Sequence, residues 1–189
     1  IPSMTNNVFT EVLAGITSVL ERVDYHAVVG VTDYDLKKEE ALVESMMSWR
    51  PAAILLPNTV HTERTNNILR RATIPVVEMM NLSADPIDIN IGIHQRAAAR
   101  DLAEHVISKG HRRFAFLGWN ERDIAALERF REIQLVIEEH GLSIRAPRLF
   151  DSPPNFLRGK TGLAQLLHAD PEIDAVFFPN DTTAIGGLV

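Results

Sequence analysis

The feature that most restricts the fold of this 189-residue chain is a regular alternation of short apolar runs with longer amphipathic segments. The apolar runs have the length of buried strands, and the amphipathic segments repeat their apolar residues with the helical period. Strand candidates lie at 27–31, 52–56, 75–79, 87–93, 113–117 and 173–178, and a loop or short strand runs through 148–150. Helix candidates lie at 8–23, 37–49, 62–71, 95–109, 123–139 and 155–168, and a further helix begins after Asn180-Asp181. This alternation predicts an α/β fold in which parallel sheets carry helices on both faces.

The alternation runs through the chain twice. The first run ends at 87–93, where apolar and other residues alternate as in a half-exposed strand, and the second begins with the helix at 95–109. We therefore predict an N-terminal lobe at 1–93 and a C-terminal lobe at 94–189. We expect the C-terminal lobe to be incomplete, because its last helix has only begun when the sequence reaches Val189.

Composition and motifs argue against several classes of protein. The formal net charge of −6 does not suit a nucleic-acid surface on this part of the molecule, and the absence of cysteine excludes disulfides and thiol nucleophiles. The sequence has no apolar run of membrane-spanning length, no phosphate-binding glycine loop and no nucleophile elbow. Asp33 and Asp35 have the chemistry for a divalent cation, but a turn before the next helix is the favoured interpretation. We predict a protein that is not an enzyme, with no catalytic residue, metal or cofactor.

Candidate ligand-binding residues lie near the predicted carboxyl ends of strands and the starts of helices. Asn7 and Phe9 open the first helix, where Asn7 can instead cap the helix and Phe9 can instead pack in the core. Trp119 follows the strand at 113–117, in a position to line a pocket or to cover the end of the sheet. Trp49, at a predicted helix end, is expected to pack.

Two charged residues complete this set. Arg129 offers a planar fork of donors for a carboxylate or for paired hydroxyls, although a single arginine on a helix is more often solvated. Asp181 follows the last strand at the edge where open α/β sheets bind ligands, and it can accept two hydrogen bonds from vicinal hydroxyls. Capping of the following helix is the alternative role of Asp181.

Three stretches, in order and suitably spaced, resemble signatures of the effector domain of LacI-type bacterial repressors. They are Ile1 to Asn6 followed by Phe9, then Gly110-His111-Arg112-Arg113-Phe114-Ala115-Phe116-Leu117-Gly118, then Asn180-Asp181 with Ala184 and Gly186. Finer stretches at 44–49, 59–65, 74–80 and 120–123 are similar to the gluconate-operon repressor branch of that family.

The resemblance implies a periplasmic-binding-protein-like fold whose two lobes hold an effector between them. By position, Phe9 matches the family's cleft aromatic residue, Arg129 its effector-gripping arginine and Asp181 its hydroxyl-binding aspartate. Asn7 and Trp119 are placed beside that cleft by position alone. His94 replaces an aspartate common in the family, and the positive charge it can carry favours a sugar acid such as gluconate over a neutral sugar.

The resemblance also implies partners. A helix-turn-helix headpiece that binds operator DNA is expected before Ile1, and the remaining sheet is expected after Val189. A cytoplasmic homodimer without membrane contact is expected, in which the ligand changes the angle between the lobes and so controls DNA binding. Four apolar residues on the second helix can contribute to the dimer, although core packing is the expected role for most of them: Leu42, Val43, Met46 and Met47.

Other functions share much of this pattern. A periplasmic sugar-binding protein would have the same fold with an export signal upstream. A repressor that responds to a purine, a neutral sugar or a phosphosugar would differ only in its pocket. A sugar kinase would need a phosphate loop or a catalytic acid–base pair.

Overall fold

The computed structural model describes residues 1–4, 6–119, 123–150 and 155–189, without the side chains of 119 and 146–150. The chain divides into two compact units, Ile1–Ile93 and His94–Val189, here called unit 1 and unit 2. Each unit contains one three-stranded sheet in which all paired strands are parallel. The α/β class predicted from the alternation is therefore confirmed.

Unit 1 has the strand order β1-β2-β3. Its elements are α1 (Asn7–Leu20, followed by a 3₁₀ turn at Glu21–Val23), α2 (Leu36–Ser48), β1 (Ile54–Leu56), α3 (Glu63–Arg70), β2 (Val76–Asn81) and β3 (Ile89–Ile93). Polar side chains start its helices: Asn6 accepts the N–H of Val8, Asp35 caps α2, and Thr62 caps α3. Its core contains Val43, Ile54, Leu56, Leu69 and Val76.

Unit 2 has the strand order β5-β4-β6, so β4 is central. Its elements are α4 (Gln95–Ser108), β4 (Phe114–Trp119), α5 (Ile124–Glu139), β5 (Ile144–Phe150), α6 (Phe156–Ala169), β6 (Ala175–Phe177) and α7 (Asp181–Gly187). Four successive residues of β4, from Phe114 to Leu117, are each at most 2% exposed. A strand with neighbours on both edges and helices over the sheet is apolar on both faces, which explains why this run shows no alternation.

One predicted strand is absent from the described part of unit 1. Residues 27–31 form no strand, and the side chains of Val28 and Val29 are 66% and 40% exposed. Backbone hydrogen bonds join Ile1 to Gly30 (2.5 Å) and to Thr32 (2.9 Å) in the pattern of a parallel pair. A strand needs several consecutive paired residues, and this segment pairs with Ile1 alone, which is too short a partner to form a strand.

Two further expectations change. Trp49 was expected to pack, yet it is 62% exposed at the C-cap of α2, and the next residue, Arg50, has a left-handed φ of 54°. The loop or short strand at 148–150 belongs to a longer strand, β5, which pairs with β4 from Ile144 onwards. Pro147 obscured that strand in the sequence, and β5 tolerates it because an edge strand need not use every N–H group.

The apolar residues of α2 divide between two roles. Val43 is buried in the core, and Met47 packs against that core. Leu42 and Met46 are half-buried and lie against Gly30, where a β-carbon would come within 3.1 Å and 2.9 Å of their side chains. Within the described residues, no helix combines the length and the apolar character that a membrane span requires.

Candidate functional site

Arg129 is held at the carboxyl end of the sheet of unit 2 by two other elements. Its Nη1 donates to the side-chain oxygen of Gln95 at 2.6 Å, and its Nη2 donates to the carbonyl of Pro179 at 2.8 Å. Gln95 begins α4, and Pro179 follows β6. The arginine is therefore not simply solvated, and its guanidinium lies at the edge where open parallel sheets bind ligands.

The position of Arg129 on α5 explains why its side chain reaches Gln95 and Pro179. Ala126 and Ile133, three residues before it and four after it, are both buried. Residues at these spacings share one helical face, so Arg129 leaves α5 on the side that packs against the rest of unit 2. Asp123 fixes the start of the helix by accepting the N–H of Ala126 at 3.0 Å.

Asp181 is the first residue of α7, and it lies two residues beyond the carbonyl that binds Arg129. The cap of α7 is Asn180, whose side-chain oxygen accepts the N–H of Thr183 at 3.0 Å and its hydroxyl at 2.9 Å. Capping is therefore not the role of Asp181, and its carboxylate is exposed at a helix start, where the helix dipole favours negative charge.

His94 caps α4 through its ring, since Nδ1 accepts the N–H of Ala97 at 3.2 Å. A ring nitrogen that accepts a hydrogen bond carries no proton, so Nε2 is the N–H donor of the ring in this conformation. His94 can offer that N–H group to a ligand.

In unit 1, Phe9 and Tyr34 form an aromatic pair. Their rings meet edge to face, with centroids 6.3 Å apart and an interplanar angle of 68°. Asn7 is exposed, and Asn6 caps α1 in its place. Asp33 and Tyr34 have φ values of 52° and 59°, in the left-handed region where strained residues of binding sites are often found.

The carboxyl end of β2 is also strained. Met80 has a φ of 77°, and the neighbouring Asn81 is buried. A β-carbon on Gly92 would come within 2.6 Å of the Asn81 backbone, so only glycine allows β3 this close. The side-chain amide of Asn90 donates to the carbonyls of Glu78 (3.1 Å) and Asn81 (2.9 Å), which holds this end of the strand in place.

A buried cluster of Glu39, His61 and Glu78 lies inside unit 1, and their side chains are at most 4% exposed. His61 Nδ1 is 2.5 Å from Glu39, and its Nε2 is 3.6 Å from Glu78 without a hydrogen-bond partner. Glu78 also accepts the N–H of Ile87 at 2.6 Å. The two ring nitrogens of His61 therefore face two different carboxyl groups inside unit 1.

Two cavities are less suitable as ligand-binding sites. One, of about 590 Å³, opens between α2 and α3, and two of its charged residues, Lys37 and Glu40, already pair with each other at 3.3 Å. The hydroxyl of Thr62 is the main cause that lowers the pKa of Glu40, and Lys37 contributes. The other, of about 300 Å³, reaches from the apolar Leu102 and Val106 to Asp181, and its largely apolar wall does not suit hydroxyl groups.

Asp33 and Asp35 have the turn roles favoured in the sequence. Asp35 accepts the N–H groups of Lys37 and Lys38, and Asp33 forms an ion pair with Lys38. Across the described ranges, no group of three or more potential metal-binding side chains occurs.

The whole chain, residues 1–189, matches the family described as periplasmic binding proteins and sugar binding domain of LacI family. The chain belongs to the LacI family. Two relatives from Escherichia coli K12 are named HTH-type transcriptional regulators: GntR is 33% identical over 98% of this chain, and IdnR is 34% identical over 100%. The chain spans 56% and 57% of their lengths.

The structural comparison agrees with the sequence match. A LacI-family transcriptional regulator from Silicibacter pomeroyi has a TM-score of 0.96 and 36% identity, covering 99% of this chain and 56% of that one. The predicted periplasmic-binding-protein-like fold is confirmed, and the chain resembles transcriptional regulators rather than enzymes.

In this LacI-family chain the predicted site residues fall into two groups, one in each unit. Unit 2 places Arg129 beside Pro179, two residues from Asp181, and places Gln95, the contact of Arg129, next to His94. Asn7 and Phe9 lie on the first turn of α1 in unit 1. The backbone of Trp119 ends β4, at the carboxyl edge expected for it, but its side chain and residues 120–122 lie outside the described residues.

Sequence reasoning missed Gln95, Tyr34 and Asn81. The rule that ligands bind at the carboxyl ends of parallel strands would have pointed to Asn81, which ends β2. Gln95 lies just beyond the carboxyl end of β3, but its contact with Arg129 cannot be read from the sequence. The same is true of the contact between Tyr34 and Phe9.

Proposed function

We propose that this chain is the ligand-binding part of a transcriptional repressor, and that its ligand is a sugar acid such as gluconate. The observation that carries the proposal is the placement of Arg129, which Gln95 and Pro179 hold at the carboxyl end of the sheet, with Pro179 two residues before Asp181 in the chain. A cationic donor and an anionic acceptor at this end of the sheet match a ligand that has a carboxylate at one end and hydroxyls along its chain.

Each group has a distinct task in this proposal. The guanidinium of Arg129 pairs with the ligand carboxylate, because its planar fork matches two oxygens at once. Asp181 accepts hydrogen bonds from vicinal hydroxyls, and the N–H of His94 donates to another. Phe9, supported by Tyr34 at 6.3 Å, offers a ring to the C–H groups of the ligand, with the amide of Asn7 nearby on α1. Trp119 is assigned to the same site from its position at the end of β4.

The wider function is proposed from the relatives. The names of GntR and IdnR describe HTH-type transcriptional regulators, and this chain spans only about half of each. We place operator binding in a helix-turn-helix headpiece outside residues 1–189, since the net charge of −6 does not favour DNA contact here. A cytoplasmic homodimer suits paired operator half-sites, and ligand binding would shift the protein between conformations that differ in DNA affinity.

Calorimetric titration with gluconate, 6-phosphogluconate, glucose and hypoxanthine tests the ligand class. We expect Arg129→Ala to weaken gluconate binding by about 10- to 100-fold, the usual cost of losing a hydrogen bond to a charged group. Arg131→Ala is the matched control, because Arg131 is exposed on the same helix, and we expect a change below about twofold.

The outcomes separate the parts of the proposal. Binding of glucose or hypoxanthine alone would leave the family unchanged and overturn the sugar acid. Gluconate binding that survives Arg129→Ala would show that another residue holds the carboxylate.

A further inference from the structure

We infer that Gln95 is a specificity-determining residue: it orients Arg129 and, because it is neutral, allows the site in unit 2 to prefer an anionic ligand. The inference rests on the proposed function. It adds a role for a residue that neither the family signatures nor the carboxyl-end rule identifies.

The hydrogen bond between Gln95 and Arg129 has only one possible direction. A guanidinium has five N–H donors and no acceptor, so Gln95 must turn its amide oxygen towards Arg129. The 2.6 Å distance from Nη1 to that oxygen is short for an N–H···O bond. The orientation of the Gln95 amide is therefore fixed by chemistry.

Two anchors on different nitrogens fix the plane of the guanidinium. Gln95 binds Nη1 from α4, while the carbonyl of Pro179 binds Nη2 at 2.8 Å from the end of β6. A single anchor would leave the group able to rotate about that bond. With both in place, Arg129 presents its fork in one orientation, which reduces the ordering cost when a ligand binds.

The neutrality of Gln95 matters as much as its position. Glutamate has nearly the same shape and would also accept from Nη1, but it would add a negative charge within 3 Å of the guanidinium. A ligand carboxylate would then approach a second carboxylate, whereas an uncharged polyol would meet little repulsion. Residue 95 therefore controls the choice between acid and alcohol.

Gln95→Glu tests this choice with two ligands of the same carbon chain, gluconate and its neutral alcohol glucitol, by calorimetry on the protein. We expect gluconate affinity to fall at least about tenfold and glucitol affinity to stay within about threefold, so that the acid-to-alcohol ratio falls. Gln165→Glu, on the exposed face of α6 in the same unit, is the control for the added charge and should leave the ratio unchanged.

The possible results lead to different conclusions. If Gln95→Glu weakens both ligands equally, Gln95 has a structural role only and the inference is overturned. If the unaltered protein binds neither ligand, the proposed function fails, and the role of Gln95 is decided by crystal structures of Gln95→Met, which keeps the length but removes the acceptor. Movement of the Arg129 guanidinium in that variant supports the inference, and an unmoved guanidinium overturns it.

Discussion

At the scale of single residues, the imidazole of His61 is a buried polar group in unit 1. It is enclosed with the carboxylates of Glu39 and Glu78, which come from α2 and β2. Buried polar groups cost free energy when they lose their hydrogen-bond partners. His61 therefore joins a helix to a strand through polar contacts as well as through packing.

We predict that His61→Ala destabilises unit 1 by about 3–5 kcal/mol, because it leaves a cavity and removes the ring nitrogen that lies 2.5 Å from the buried Glu39 carboxyl group. Urea denaturation followed by circular dichroism measures the change. His140→Ala is the control, since His140 forms a 2.9 Å pair with Glu104 in which both side chains are more than 40% exposed, and its loss should cost less than about 1 kcal/mol. Equal losses in the two variants would contradict the buried-pair interpretation.

At the scale of elements, α6 and α7 pack closely enough for backbone atoms of one to exclude a side chain on the other. A β-carbon on Gly159 would come within 1.9 Å of the Thr183 carbonyl oxygen, and one on Gly186 within 2.0 Å of the Phe156 oxygen. Both glycines are buried. This contact holds α7, which carries Asp181, against the remainder of unit 2.

We predict that Gly159→Ala destabilises the protein by about 1–3 kcal/mol or more, because helix backbones must separate to make room. Gly15→Ala makes the same chemical change in α1, where no atom lies within 4 Å of the added carbon, and should stabilise by up to about 1 kcal/mol through helix propensity. Thermal unfolding of the two variants gives the comparison. A neutral Gly159→Ala would show that α6 and α7 are less tightly packed than described.

A second link between elements lies at the opposite end of the sheet in unit 2. The Asp174 carboxylate, just before β6, accepts the backbone N–H groups of Arg112 (3.2 Å) and Arg113 (3.0 Å), just before β4. Desolvation alone would raise the pKa of Asp174, but these N–H groups, together with the charges of His111 and Arg113, lower it below its usual value. The carboxylate thus holds the starts of two neighbouring strands together.

We predict that this link depends on pH in a defined direction. A carboxyl whose pKa is lower in the folded state contributes stability above its unfolded pKa of about 3.9 and loses it as the pH falls through the folded value. Asp174→Asn should therefore cost on the order of 1 kcal/mol at pH 7, a small figure because the site is solvent-screened, and progressively less below pH 4. Melting temperatures of the unaltered protein and of Asp174→Asn, measured at pH 7 and below pH 4, test this prediction. A difference between the two proteins that grows as the pH falls would refute it.

At the scale of the whole molecule, the proposed regulator requires coupling between ligand and DNA. The chain belongs to the LacI family, and relatives of about 33% identity are named HTH-type transcriptional regulators. Coupling of this kind typically amounts to about 1–3 kcal/mol between sites.

We predict that a saturating ligand changes operator affinity by about 5- to 150-fold, and that operator DNA changes ligand affinity by the same factor, because linkage is reciprocal. Titrations of each partner in the presence and absence of the other provide both factors. Arg129→Ala should abolish the response without changing operator affinity in the absence of ligand. An operator affinity that a saturating ligand leaves unchanged would show that the two sites are not coupled.

The sequence alone determined most of the secondary structure and the class of fold. The helices and most of the strands followed from the spacing of apolar residues, and Asn180 marked the start of the last helix. These features are local, since the period of burial is recorded in the chain itself. The failure at 27–31 has the same explanation, because an apolar run becomes a strand only where a neighbouring chain pairs with it.

Tertiary structure decided which side chains meet. Arg129 was predicted from the sequence, but its contacts with Gln95 and Pro179 join residues 34 and 50 positions apart. His61 likewise meets Glu39 and Glu78 from distant positions, and Phe9 meets Tyr34. No local pattern records such pairs, because they depend on how helices and strands pack. The sequence therefore determined the elements, and packing determined the contacts that make them a candidate site.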